Sequence, residues 1–391
     1  MSDTTLPAFA KTLRAILDAP GPRGRKGIAT IVWGPPGVGK TSLFEAIADE
    51  EGLHFECVLG SIREPADVSG LPVLSPDGTA VWLAPPAWAK RLVEKCGDGR
   101  GGLLLLDELS SCPGAVQAAL LRVLTEGVVG ETILPPSVRI VAAANPPEQA
   151  AGGWGLAPPT ANRLVHLNWD GPSAAEWATW ITGQSGLDPR VRAGIGALIV
   201  RRPELLLALP KSEADRGFAW PSPRSWESAA RALAAVKAAN LGDGVALQVL
   251  TGAVGDGAAK EAWSYIHELD LPDPEEFLSG GREFQVDPER GDKTHAILGS
   301  IVSAALDTPP GPRRAERALR AAEICDEVAE KGAADAAVTH VGRISRASKT
   351  DADLQTMRSD KKLKPRFIKA FSGKMASLGK DFEDGKQQAR V

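Results

Sequence analysis

Short apolar runs alternate with helix-length amphipathic segments through roughly the first 170 residues, the pattern of a parallel sheet covered by helices. The runs Thr30 to Trp33, Phe55 to Leu59, Leu103 to Leu106, Arg139 to Ala143 and Arg163 to Leu167 predict strands, each short and apolar as buried parallel strands are. Two segments predict hairpins projecting from this core: Leu74 to Trp82, with a turn at Asp77-Gly78, and Val128 to Ile133. After Asp170-Gly171-Pro172 the pattern changes to helices separated by Gly and Pro. Ala174 to Ile181, Arg190 to Val200, Ser225 to Ala238 and Ala246 to Val254 have the apolar spacing of helices that pack on one another. Leu271-Pro272-Asp273-Pro274 reads as a connector, and Thr294 to Ala305 and Arg314 to Glu330 as helices beyond it. The expected organisation is an α/β core over 1–170, a helical domain over 171–270 and a helical extension over 271–391.

A chain of 391 residues is too long for one compact core, and its 24% charged and 43% hydrophobic residues are ordinary for a folded protein. The longest apolar stretch near the loops, Leu103 to Leu106, is far below the ~20 residues of a membrane span. The N-terminus lacks the basic start and apolar run of a secretory signal, so the cytoplasm is the expected address. Cys57, Cys96, Cys112 and Cys325 show no C-x-x-C spacing, and the five histidines form no metal-type pair in sequence; all are expected to be structural. Charge is uneven: the chain carries −4 overall, yet Arg343 onward holds 13 basic against 6 acidic residues. With few aromatics and no groove-reading motif, that segment is expected to be a solvated, mobile helical tail, not a nucleic-acid-binding arm.

The chemistry enters at Gly34-Pro35-Pro36-Gly37-Val38-Gly39-Lys40-Thr41, which fits G-x-x-x-x-G-K-[ST] at every fixed position, after one predicted strand and before Ser42 and a helix. Glycines let backbone N–H groups turn inward on phosphates, and the following helix aims its positive end at the same anion. Lys40 supplies a mobile charge to the β/γ-phosphates, and Thr41 a hydroxyl ligand for Mg2+. The strand Leu103 to Leu106 ends in Asp107-Glu108, where a parallel strand delivers side chains to the ligand crevice. Asp107 is expected in the magnesium shell and Glu108 beside the attacking water. The next strand ends at Asn145, an amide suited to the γ-phosphate or that water.

This set resembles the AAA+ ATPases and, within them, the MoxR branch with its CbbQ, NorQ and GvpN type proteins, over about residues 25–270. The resemblance implies a P-loop NTPase core with a five-stranded parallel sheet, an α-helical lid and a C-terminal helical extension. It makes Gly34 to Thr41 Walker A, Asp107 and Glu108 Walker B, and Asn145 sensor 1. Arg63-Glu64-Pro65-Ala66-Asp67-Val68-Ser69-Gly70 looks like the branch signature R-x-P-x-D-x-x-G. Arg163 aligns with the arginine finger that reaches a neighbouring subunit's nucleotide, although Asn162 stands where the family has Asp, and Arg224 aligns with sensor 2 at the start of a lid helix. Both hairpins fit insertions of this branch that point toward the ring axis or the client. The implied activity is Mg-ATP hydrolysis by a homo-oligomeric ring, a hexamer by expectation, that remodels, activates or assembles a partner protein. Such partners can include one with a von Willebrand factor A domain. The alternatives are a nucleotide-controlled structural or adaptor component with slow turnover, and a nucleic-acid motor resting on the basic tail alone.

Overall fold

The protein is described by a computed structural model, whose described residues are 8–74, 78, 81–149, 155–212 and 214–372. The chain divides between Pro172 and Ser173 into two compact units.

The first unit opens with helix α1 (Ala8–Asp18), strand β1 (Thr30–Trp33) and helix α2 (Lys40–Glu51). There follow β2 (His54–Leu59), the short α3 (Pro65–Ser69), β3 (Leu71–Leu74), β4 (Val81–Ala84), α4 (Ala87–Cys96), β5 (Gly102–Asp107) and α5 (Gly114–Glu126). The unit closes with β6 (Val128–Val129), β7 (Thr132–Ile133), β8 (Val138–Ala144), α6 (Pro158–Ala161) and β9 (Val165–Asn168). Five of these strands form one sheet in the order β2-β5-β8-β1-β9, parallel throughout. This is the predicted α/β core, with every predicted strand present. The central strands explain the sequence pattern: Leu103 to Leu106 of β5 and all of β8 are buried, because helices cover both faces. The edge strand β9 is largely exposed.

The remaining strands pair as the hairpins β3-β4 and β6-β7. The turn expected at Asp77-Gly78 lies largely outside the described residues, whereas β6 and β7 join directly through Gly130-Glu131. The hairpins abut. A Cβ on Gly130 would stand 2.0 Å from the Ser69 carbonyl oxygen, and the Leu83 N–H reaches Glu131 Oε2 at 3.4 Å. The Arg63 to Gly70 signature acquires a structural meaning here. Pro65 opens α3, Asp67 Oδ2 accepts the Glu64 N–H at 2.9 Å, and Gly70 (φ 92°) ends it where a side chain would strike the Ala84 carbonyl.

The second unit is helical: α7 (Ala174–Gly183), α8 (Pro189–Arg201), α9 (Pro223–Ala238), α10 (Asp243–Val254), α11 (Asp256–Leu269) and α12 (Pro274–Leu278). It continues with α13 (Gly291–Leu306), α14 (Pro312–Glu330), α15 (Ala334–Thr350), α16 (Ala352–Ser359) and α17 (Leu363–Ser372). One apolar cluster centres on Trp177, Trp226 and Leu250, a second on Phe277, Leu298 and Leu319, and Leu271 packs against both. The expectation of a solvated tail from Arg343 does not hold as far as Ser372. Arg343, Ile344, Leu354, Met357 and Ala370 are buried, since α15 to α17 turn apolar positions onto the second cluster and their charges outward. Residues 373–391 lie outside the described residues. Among the described residues, no helix is long and apolar enough to cross a membrane.

Trp226 is fully buried, and its indole N–H donates to the Leu205 carbonyl at 2.6 Å. Trp226→Ala is expected to destabilise the second unit by about 3–5 kcal/mol, seen as an earlier helical transition in denaturant melts. A loss below about 1 kcal/mol would mean the neighbouring helices collapse into the space.

Candidate functional site

Residues 34–39 carry the chain from the carboxyl end of β1 into α2. Their backbone path depends on glycine. Gly37 and Gly39 hold φ of 81° and 97°, and a Cβ on Gly34 would stand 2.2 Å from the Trp169 carbonyl oxygen. Val38 is buried beside Gly171, pinning the loop's middle to the chain that leaves β9. Helix α2 begins at Lys40, so its positive dipole end and the N–H groups of Thr41 and Ser42, which no carbonyl of the helix can accept, face the space the loop encloses.

Sheet order then brings chain-distant residues to this loop. The Gly34 N–H donates to the Ala144 carbonyl at 3.2 Å, placing Asn145 beside the loop. Lys40, only 8% exposed, donates from Nζ to the Gly34 carbonyl (2.7 Å), the Pro35 carbonyl (3.0 Å) and Asn145 Oδ1 (2.8 Å). Thr41 Oγ1 donates to Asp107 Oδ2 at 2.7 Å, and Asp107 Oδ1 accepts the Glu108 N–H at 2.9 Å. Ser110 Oγ donates to the Asn145 carbonyl at 3.0 Å, tying the ends of β5 and β8 together. Lys40, Thr41, Asp107, Glu108 and Asn145 therefore form one constellation around the loop.

Glu108 has φ 57° and ψ 34°, a left-handed conformation that costs a non-glycine residue about 1–2 kcal/mol. Its carboxylate accepts a short hydrogen bond from Ser61 Oγ. Ser61 was not among the residues singled out in the sequence. Leu59 pairs with Asp107 across the parallel β2-β5 register, so a hydroxyl two residues past β2 meets a carboxylate one residue past β5. Only the strand order, which the sequence does not display, could have flagged it.

Thr41 and Asp107 together offer two hard oxygen donors in contact. That donor set fits Mg2+, which is ordinarily held by one or two protein groups and the phosphates of its substrate. Among the described residues no group of three or more His, Cys, Asp or Glu could hold a metal ion by itself. Arg163 is exposed between α6 and β9, with Nη1 donating to the Pro159 carbonyl at 3.0 Å. Arg224 lies in the second unit, exposed in the first turn of α9, which Ser222 caps by accepting the Ser225 N–H at 3.1 Å. Cys96 and Cys112 are buried in the first unit's core, and all four cysteines are free thiols.

Glu108→Gly, which removes the penalty on a left-handed side chain, is expected to raise the first unit's unfolding free energy by about 1 kcal/mol. Equilibrium denaturation checks this, and an unchanged or lower value would show that the turn carries no strain.

Residues 30–151 match the family model described as AAA, the ATPase family associated with various cellular activities. The matched segment contains β1, the whole loop, Asp107, Glu108 and Asn145. A search of curated proteins finds no match to the chain. The family match supports an AAA ATPase domain here, and with it nucleotide binding and ATP-driven activity in general.

Proposed function

We propose that this chain is a Mg-ATP-dependent AAA+ ATPase of the MoxR type, working as a homo-oligomeric ring, expected to be a hexamer, to remodel, activate or assemble a partner protein. The observation that carries the reading is the 2.7 Å contact between Thr41 and Asp107, with Glu108 one residue further along and Lys40 on Asn145. A Walker A hydroxyl and a Walker B carboxylate meet where a phosphate-bound magnesium is held. The MoxR assignment is further supported by the Arg63 to Gly70 segment and by the two abutting hairpins, whose Leu71, Leu74 and Ile133 are more than 60% exposed. Those apolar edges suit contact with a client or an adaptor, one with a von Willebrand factor A domain among the candidates.

Each side chain has work that its present contacts make intelligible. Lys40 donates to three neutral oxygens, and exchanging them for anionic phosphate oxygens adds direct charge–charge attraction to those hydrogen bonds. Asn145, released from Lys40, can hold the γ-phosphate or the attacking water. Thr41 and Asp107 would hold a Mg2+ ion, which would supply charge stabilisation to the phosphates. Glu108 orients a water in line with the γ-phosphorus; a new P–O bond forms as the β–γ bridge breaks, giving ADP and phosphate. Ser61, holding the Glu108 carboxylate, fixes its direction. Arg163, exposed and anchored by one carbonyl, suits delivery to a neighbouring subunit's nucleotide, and Arg224, exposed in the first turn of α9, is by the resemblance the sensor 2 arginine.

Glu108→Gln is expected to retain ATP binding and lower phosphate release by at least about 100-fold. Turnover near the wild-type rate would remove Glu108 from the chemistry. Recovery of the ATP-locked variant from its native cells, followed by native mass spectrometry, reads out the partner. A ring with one stoichiometric protein supports remodelling, and a ring embedded in a large particle supports the structural or adaptor reading.

Arg163→Ala, inactive alone, is expected to regain hydrolysis in mixed rings with Lys40→Ala subunits that keep an intact Arg163. Mixing that restores nothing would confine Arg163 to its own subunit.

A further inference from the structure

His166, exposed on the edge strand β9, uses both of its ring nitrogens, and each links it to a different part of the first unit. Ile31 lies opposite His166 across the parallel β1-β9 register, which puts Trp33, two residues further along β1, on the same face of the sheet. The indole and imidazole rings stack there, with centroids 5.9 Å and planes 22° apart. Trp33 Nε1–H donates to His166 Nδ1 at 2.9 Å, and His166 Nε2 lies 2.9 Å from the Ala161 carbonyl oxygen. An indole nitrogen only donates and a carbonyl oxygen only accepts, so Nδ1 is the bare nitrogen and Nε2 carries the hydrogen. A single neutral tautomer satisfies both contacts.

The two partners stand at the ends of two functional segments. Trp33 is the last residue of β1 and leads directly into Gly34, where the phosphate loop begins. Ala161 is the last residue of α6, two positions before Arg163, whose Nη1 donates to the Pro159 carbonyl of the same short helix at 3.0 Å. The start of α6 has its own tether: buried Gln117 accepts the Ala157 N–H on Oε1 at 2.9 Å and donates from Nε2 to the Gly155 carbonyl at 2.7 Å. His166 supplies the corresponding tether at the carboxyl end, next to Arg163.

We propose that His166 is a positioning residue for Arg163: through Trp33 it fixes the carboxyl end of α6 against the start of the phosphate loop, and so sets where the guanidinium is presented to a neighbouring subunit. This rests on the reading of Arg163 as acting on a neighbour's nucleotide. A guanidinium forks onto phosphate oxygens only over a narrow range of orientations. Loosening α6 therefore slows turnover, while the loop of the same subunit keeps its hold on nucleotide.

The test compares ATP hydrolysis by the full chain with that of two variants. His166→Phe keeps a ring against Trp33 and removes both hydrogen bonds, whereas the amide of His166→Gln can still donate to the Ala161 carbonyl. His166→Phe is expected to lower kcat at least about tenfold with KM for ATP and the melting curve unchanged, and His166→Gln to stay within about threefold of wild type. In mixed rings His166→Phe is expected to regain hydrolysis from Lys40→Ala subunits, which bring a well-placed Arg163 to its intact loop. Should His166→Phe fail to fold, His166→Asn, which keeps an acceptor for the indole and drops the donor to Ala161, takes its place in both measurements. Wild-type kcat in His166→Phe, a raised KM with kcat unchanged, an equal loss in His166→Gln, or no recovery in rings where Arg163→Ala recovers would overturn the positioning role and leave the reading of Arg163 intact. If Arg163→Ala itself does not recover, the reading of Arg163 falls and the positioning role falls with it.

Discussion

The hydrogen bond from Thr41 to Asp107 joins the first turn of α2, which follows β1, to the last residue of β5, and β8 lies between β1 and β5 in the sheet. For it to form, β1, β8 and β5 must end level, and the loop after β1 must fold back tightly enough to start α2 directly over that edge. The absence of side chains on Gly34 and Gly39 makes the fold-back possible, and the buried leucines of β5 hold the register. A slip of one residue in β5 would point Asp107 to the other face of the sheet and set a leucine beside the loop. Few alternative arrangements of this core therefore keep the carboxylate where the phosphate loop can use it.

The same edge is where the molecule departs from relaxed geometry. Glu108 sits in a left-handed conformation, Lys40 is nearly buried, and Asp107 and Glu108 are adjacent carboxylates. Burial of Leu103 to Leu106, each contributing about 1.5–3 kcal/mol, readily offsets a strained turn at the strand's end. In this sheet the stabilising burial thus lies in the interior and these costs lie at its carboxyl rim, beside the loop.

The division between what the chain displays and what it hides follows from these distances. Gly34 to Thr41 and Asp107-Glu108 were legible because phosphate chemistry demands fixed residue types at short, fixed spacing. The strands of the sheet were legible because buried parallel strands are apolar along their whole length. Ser61 was not, since its role depends on β2 lying next to β5 and on no local motif. Nor was the packing beyond Arg343, where a count of charges masked Ile344, Leu354 and Met357, whose helical phase is broken at Asp351 between α15 and α16. The contact of His295 with His340 joins positions 45 residues apart and leaves no trace in spacing.

The two hairpins carry a last implication. Gly130 lies so close to the Ser69 carbonyl that no side chain fits between them, and Glu131 reaches back to Leu83. The pair is therefore geared: a tilt of β6-β7 must carry the end of α3 and the root of β3-β4 with it. Because β6 follows α5 through Gly127 alone, and α5 begins just past the turn after Glu108, the covalent path from Glu108 to both apolar edges is a single short helix. Because Gly130 and Glu131 are themselves the turn of β6-β7, lengthening that turn or placing any side chain at position 130 would break the contact with Ser69 and Leu83.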